Sequence, residues 1–249
     1  MRFNTPTTTT PSAKELWIDI RLQPECMKHL TDAINNVEGH SKGNFLNSRS
    51  SFIKDKDNWF YDNFLKELTE QMFYQNWDNY YKYHIVKKEP LPKFELEEMW
   101  VNHQKQHEFS PLHRHFFLYS FVIFIKIPTV WKEQHKLPFV CPFQGSTSNF
   151  QFVTQDTEID FSLSSEDEGR ILFFPASLRH QVYPFYECEE ERITISGNID
   201  FYNPNRPKKQ EVSVSVYEEQ EKMLEMMENH AKSLREELLQ MKKTREKEG

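Results

Sequence analysis

A chain of 249 residues with a formal charge of −7 and a pI near 5.8 sets up no field that draws in phosphate backbones, so non-specific nucleic-acid binding is not expected. The length suffices for one main domain with an appendage, and for a core that needs neither disulfides nor structural metals. Aromatic residues make up 14%, with 21 Phe and 10 Tyr against only 6 Gly, which favours a packed β-rich core over a glycine-looped nucleotide binder. Cys26, Cys141 and Cys188 are scattered without a CxxC spacing, which speaks against a disulfide framework or a thiolate zinc site and fits a reducing cytoplasm. The N-terminus lacks an apolar run, and the longest apolar stretch, 121–125, stops at Lys126, so no membrane association is expected.

Residues 1–11, MRFNTPTTTTP, have nothing to bury and are expected to be disordered. From there to residue 93 the pattern predicts a support layer. A short alternating strand covers 15–20. A helix then begins near Pro24, runs through Met27, Leu30, Ala33, Ile34 and Val37, and stops at Gly39. After a polar loop at 43–51, an amphipathic helical segment spans about 58–83, its stripe built from Trp59, Phe60, Phe64, Leu65, Leu68, Met72, Phe73 and Trp77. That stripe reads as core rather than as a cofactor box.

Between 94 and 203 the segments become short, aromatic or β-branched, and separated by turn signals. Strands are expected near 94–103, 118–127, 149–153, 158–163, 170–174, 181–186 and 192–200, with a reversal at Gly169. Seven or eight strands with two faces imply a sandwich or jelly roll, mainly β, with the N-terminal helices packed on it. Residues 204–249 form a linker followed by an amphipathic C-terminal helix. Leu224, Met227, Ala231, Leu234, Leu238 and Met241 alternate by three and four residues, a seam suited to a coiled coil, to homo-oligomerisation or to packing back on the body.

Four histidines fall between 103 and 115, the last two in His113-Arg114-His115. Residues two apart on a strand share a face, so His113 and His115 can present both rings to one ion. His180 is the best third ligand. Arg192 opens the strand Arg192-Ile193-Thr194-Ile195-Ser196, which an adjacent position in a sheet returns to the same pocket. Three ligands on one face of an iron leave positions for a bidentate co-substrate and dioxygen. A guanidinium grips a distant carboxylate through paired hydrogen bonds, and Thr194, two residues on, adds a hydroxyl from the same face. Taken alone, the His113–His115 pair reads as two solvated imidazoles; the order HxH, His180, Arg192 turns it into a candidate site.

These residues resemble a known family, the 2OG-Fe(II) oxygenases of marine bacteria and tailed phages, related in fold to prolyl hydroxylases. The resemblance rests on Trp100-Val101-Asn102, on His113-Arg114-His115 followed by Ser120, and on Gly169-Arg170-Ile171-Leu172-Phe173-Phe174-Pro175 with His180 and the run from Arg192 to Asn198. It spans about 94–200. It implies a double-stranded β-helix that uses Fe(II), 2-oxoglutarate and O2, releases succinate and CO2, and hydroxylates an unidentified small-molecule or polymer substrate, in the host cytoplasm if the chain is phage-encoded. His113, His115 and His180 would be the metal and catalytic residues, and Arg192, Thr194 and Asn102 would hold the co-substrate.

The sequence departs from this pattern twice. Most 2-oxoglutarate oxygenases carry Asp or Glu where this chain has His115, which leaves either an extra positive charge at the metal or room for Glu108 to enter from the neighbouring loop. The strand after Ser120 reads Phe121-Val122-Ile123-Phe124, where Gly and Tyr are usual. Two further readings therefore stay open: a non-enzymatic jelly-roll module, binding or assembling a virus, with a structural metal; and a cupin-type three-histidine dioxygenase that needs no 2-oxoglutarate. Arg192 could also pair with the acidic run before it, Asn198 could line the pocket, and His103 and His107 read as surface or supporting residues.

Overall fold

In the computed structural model, residues 17–37, 41–43, 49–86, 92–140 and 145–205 are described. The chain divides into two compact units, Met1–Tyr202 and Asn203–Gly249, and the first contains the elements below. The expectations for residues 1–11, for a helix stop at Gly39 and for the C-terminal helix all lie outside the described residues.

Strand β1 (Ile18–Arg21) leads into helix α1 (Pro24–Asn35), whose first-turn proline supplies a preset φ where a backbone N–H would be unpaired anyway. Cys26 and Leu30 are its buried residues, with Ala33, Ile34 and Val37 packed beside them. The two ends of the polar stretch read as a loop belong to strands, β2 (Ser41–Gly43) and β3 (Arg49–Phe52). They pair with each other and extend a sheet, a tertiary event that the local sequence does not announce.

The predicted long helix is broken at Asn76, whose backbone is extended (φ −76°, ψ 110°). Its start follows Asp57 and Asn58, which adopt positive φ (56° and 55°), a conformation these side chains tolerate better than most. Asp55 then caps the new start, its carboxylate accepting from the N–H groups of Phe60 and Tyr61 at 2.8 Å each. A π-helical turn at Tyr61–Leu65 runs into α2 (Lys66–Gln75), and the short α3 (Trp77–Tyr80) follows. The Tyr61 hydroxyl donates to the Phe94 carbonyl at 2.7 Å and pins this layer to the sheet.

The remaining strands and α-helix are β4 (Phe94–Gln104), β5 (Ser110–His113), β6 (Tyr119–Lys126), α4 (Trp131–Gln134), β7 (Phe150–Val153), β8 (Glu158–Phe161), β9 (Arg170–Pro175), β10 (Arg179–Val182) and β11 (Arg192–Phe201). Helix and strand are more evenly balanced than the mainly β reading held, and the fold is mixed α/β. All pairings are antiparallel, in a seven-stranded sheet ordered β1-β9-β6-β11-β4-β3-β2 and a four-stranded sheet ordered β5-β10-β7-β8.

Alternation along the strands divides the large sheet into two apolar faces. Met99, Val101, Phe121, Ile123, Ile171, Phe173, Ile195 and Ile199 join Phe60, Leu65, Leu68 and Met72 in the core under the helices. Val122, Phe124, Leu172 and Phe174 point the other way, onto Phe150, Phe152 and Phe161 of the small sheet, where Phe152 meets Phe174 edge to face at 4.8 Å. Gly197 is required in this layer, because a Cβ there would lie 2.4 Å from Phe121 and 2.8 Å from the Glu98 carbonyl oxygen. Phe121, after Ser120, thus fills the space above a glycine on the neighbouring strand.

Candidate metal centre

β5 and β10 place His113 directly opposite His180 in register, and their ring centroids are 4.2 Å apart. The third imidazole arrives differently from the expectation. β5 ends at His113, so His115 is no strand neighbour of it. It lies in the following loop, held there by its own N–H, which donates to the Ala176 carbonyl at 2.8 Å. β5 is an edge strand of four residues containing Pro111, a residue that edge positions accept, and this cuts the strand short. His180 belongs to β10, and the expected strand at 181–186 is shifted upstream, to Arg179–Val182.

One ligand nitrogen from each of His113, His115 and His180 lies within 4.8 Å of the others. Nitrogens about 2.1 Å from a shared ion lie roughly 3 Å apart, a closure within reach of side-chain rotation. The tautomers suit a metal. The Nδ1 of His113 faces the Pro111 carbonyl at 2.7 Å, and that of His180 faces the Leu178 carbonyl at 3.0 Å. With Nδ1–H donating to these carbonyls, Nε2 is the ring nitrogen of each that would coordinate an ion. Burial first and the facing His113 second hold the His180 ring well below the ordinary imidazole range, against the opposing Leu178 carbonyl. The ring is therefore neutral, and a donor, near pH 7.

No carboxylate joins this cluster among the described residues. Glu108 accepts from the Lys105 N–H at 2.7 Å and does not enter the cluster. His103 faces Glu191 at 2.9 Å, and His107 lies edge-on to Tyr186. Neither joins the cluster.

The inner face of the large sheet carries the other expected residues. Thr194 faces Asn102 in register and Arg192 faces Gln104. The Asn102 amide donates to the Thr194 and Ser196 hydroxyls at 3.3 Å each, and its carbonyl accepts from Ser50 at 2.7 Å. Asn198 instead bonds Ser120 and Glu98.

Arg192 is 1% exposed, and the acidic run before it leaves it alone. Glu190 pairs with Lys126, and Glu191 with His103 and Arg49. The guanidinium donates to Ser148 and Gln104, all neutral acceptors, lies over Phe185 at 5.1 Å, and leaves Nε without a partner. Burial lowers its pKa to about 10, so it stays charged at neutral pH with no carboxylate beside it among the described residues. A buried charge without a counterion costs several kcal/mol, which an incoming anion would offset. Ser148, its anchor, lies two positions before Phe150, whose ring stacks on His180 at 5.8 Å.

Sequence reasoning did not single out Ser50, Gln104, Ser148 or Ser196. Ser196 was within reach, since it continues the two-residue step from Arg192 and Thr194. Ser50 comes from β3 and Ser148 from the loop before β7, both remote in sequence, and neither carries a local signal.

Residues 98–198 match the family described as "Putative 2OG-Fe(II) oxygenase". Over these residues the chain is similar to 2OG-Fe(II) oxygenases. No curated protein matches it in sequence. Similar solved structures include a 2OG-Fe(II) oxygenase family oxidoreductase from Burkholderia pseudomallei, with 8% identity, 75% of this chain and 85% of that one covered, and a TM-score of 0.48. A Pseudomonas putida prolyl-4-hydroxylase shares 12% identity over 75% of this chain and 93% of that one, with a TM-score of 0.46. The viral collagen prolyl hydroxylase of Paramecium Bursaria Chlorella virus-1 shares 17% over 75% and 96%, with a TM-score of 0.44. Residues 98–198 thus combine similarity to 2OG-Fe(II) oxygenases with a three-histidine cluster that could hold a metal ion. No helix among the described residues is long and apolar enough to cross a membrane.

Proposed function

We propose that this chain is a mononuclear non-haem iron oxygenase whose ion is held by His113, His115 and His180. The observation that carries this reading is the meeting of three imidazoles with no carboxylate among them, two of them oriented by backbone carbonyls. Three protein donors leave coordination positions open, which suits catalysis better than a closed structural site. When bound, Fe(II) supplies activation of dioxygen. The donor set by itself fits a three-histidine dioxygenase that needs no 2-oxoglutarate.

One observation favours a second reading, in which 2-oxoglutarate is consumed to succinate and CO2 while a substrate is hydroxylated within a jelly-roll core. Arg192 is a buried guanidinium with an unpartnered Nε and only neutral acceptors, a fit for the distal carboxylate of a dicarboxylic acid. Three neutral imidazoles also bring no charge to a dication, so a dianionic co-substrate would neutralise the centre. Thr194 and Asn102 line the same sheet face as Arg192 and would orient that carboxylate.

Anaerobic titration of the Fe(II) protein with 2-oxoglutarate separates the readings. A new visible absorption band, succinate formation in air and loss of both in Arg192→Ala support co-substrate use. Oxygen consumption that ignores 2-oxoglutarate and Arg192→Ala supports the three-histidine dioxygenase. Zinc retained against mild chelation, with no oxygen consumed, would point to a binding module instead.

A further inference from the structure

An imidazole ligand is less forgiving than a carboxylate, because its single lone pair lies in the ring plane, and a tilted ring points that pair away from the ion. The backbone carbonyls of Pro111 and Leu178, each two residues before its histidine, fix the rings of His113 and His180. His115 lies past the end of β5, where no ladder sets its direction. Its ring is close to parallel with the Trp100 indole, 16° between planes and 5.8 Å between centroids. Its plane is also within 11° of the His180 plane.

Trp100 comes from the opposite sheet. It is 6% exposed, in mid-strand on β4, with Ser196 of β11 and Phe52 of β3 as its register neighbours. A rigid bicyclic ring held in a three-strand ladder is a fixed wall against which a loop histidine can settle.

We propose that Trp100 is a positioning residue that sets the plane of the His115 imidazole and so makes His115 a competent third metal donor. The role rests on the three-histidine reading above, and it concerns metal binding rather than any step of turnover.

The test is Co(II) titration of the metal-free protein, read by visible absorption, for wild type, Trp100→Phe, Trp100→Leu, His115→Ala and the Trp100→Leu/His115→Ala double variant, each first checked by thermal unfolding. Leucine keeps apolar bulk and loses the ring plane. Trp100→Leu should bind Co(II) about 10–100-fold more weakly with altered bands, as loss of a ligand-orienting partner typically does. Trp100→Phe should restore binding and spectrum close to wild type, and the double variant should bind no more weakly than His115→Ala alone.

Wild-type binding by Trp100→Leu, failure of phenylalanine to rescue, or a further equal loss in the double variant would each overturn the role of Trp100 while leaving three ligands in place. Full-strength binding by His115→Ala would overturn the three-histidine reading and this proposal together. Should Trp100→Leu not fold, Trp100→Met carries the same comparison.

Discussion

The two faces of the seven-stranded sheet are built from alternate residues of the same strands, yet they do different work. On β11, Ile193, Ile195 and Ile199 pack into the apolar core beneath the helices, while Arg192, Thr194 and Ser196 turn polar groups toward the small sheet. On β4, Met99 and Val101 divide from Trp100, Asn102 and Gln104 in the same way. Apolar packing and polar groups are thus interleaved at a spacing of one residue, and a substitution should reveal the face on which it falls.

The largest separation is expected at the centre itself. His180→Ala should weaken Co(II) or Fe(II) binding by more than the roughly 10–100-fold that loss of a supporting hydrogen bond costs, measured by metal titration. On the helix face the effect should move to folding. Ile195 is fully buried, so Ile195→Ala should lose about 2–4 kcal/mol in denaturant unfolding with metal affinity unchanged. Its neighbour Thr194→Ala should cost about 1 kcal/mol or less. If both variants lose stability and metal affinity together, the division between the faces is wrong. Gly197→Ala tests the contact between layers. Its methyl group would press on Phe121 and the Glu98 carbonyl, for an expected loss of about 1–3 kcal/mol read as a lower Tm.

A pH series should show a smaller effect. The folded protein holds His180 below the ordinary imidazole value, so under about pH 6.5 the unfolded chain takes up a proton that the folded chain resists. Stability of the metal-free protein should therefore fall as pH drops from about 6.5, by up to about 1.4 kcal/mol per unit, until the folded-state pKa is reached. Equilibrium unfolding across pH 5–8, repeated with His180→Ala, isolates this contribution. Least of all should come from the Lys126–Glu190 pair, which is largely solvent-exposed; Lys126→Ala should leave Tm unchanged.

Legibility in the sequence followed element length. β4 and β11 carry ten or more residues of alternating pattern, and their positions were readable because the period repeats often enough to outvote any single residue. β5 has four residues and a proline, so nothing local marks it as a strand. His113 and His115 were paired by a strand rule that does not apply beyond His113, although a loop held by Ala176 brings the rings together by another route. The burial of Arg192 could not be read either, because the acidic residues before it offered an exposed ion pair. Those acids find Lys126, His103 and Arg49 instead.

β5 has one neighbouring strand and only two register pairs with it, so by hydrogen bonding alone it is the most weakly secured edge of the small sheet. A cation gripped by His113, His115 and His180 would staple that edge to β10 and to the turn beyond it. Local opening of β5, measured by amide exchange or proteolytic nicking, would then report cation occupancy, and chelation would loosen this margin of the molecule before it loosened the helical core.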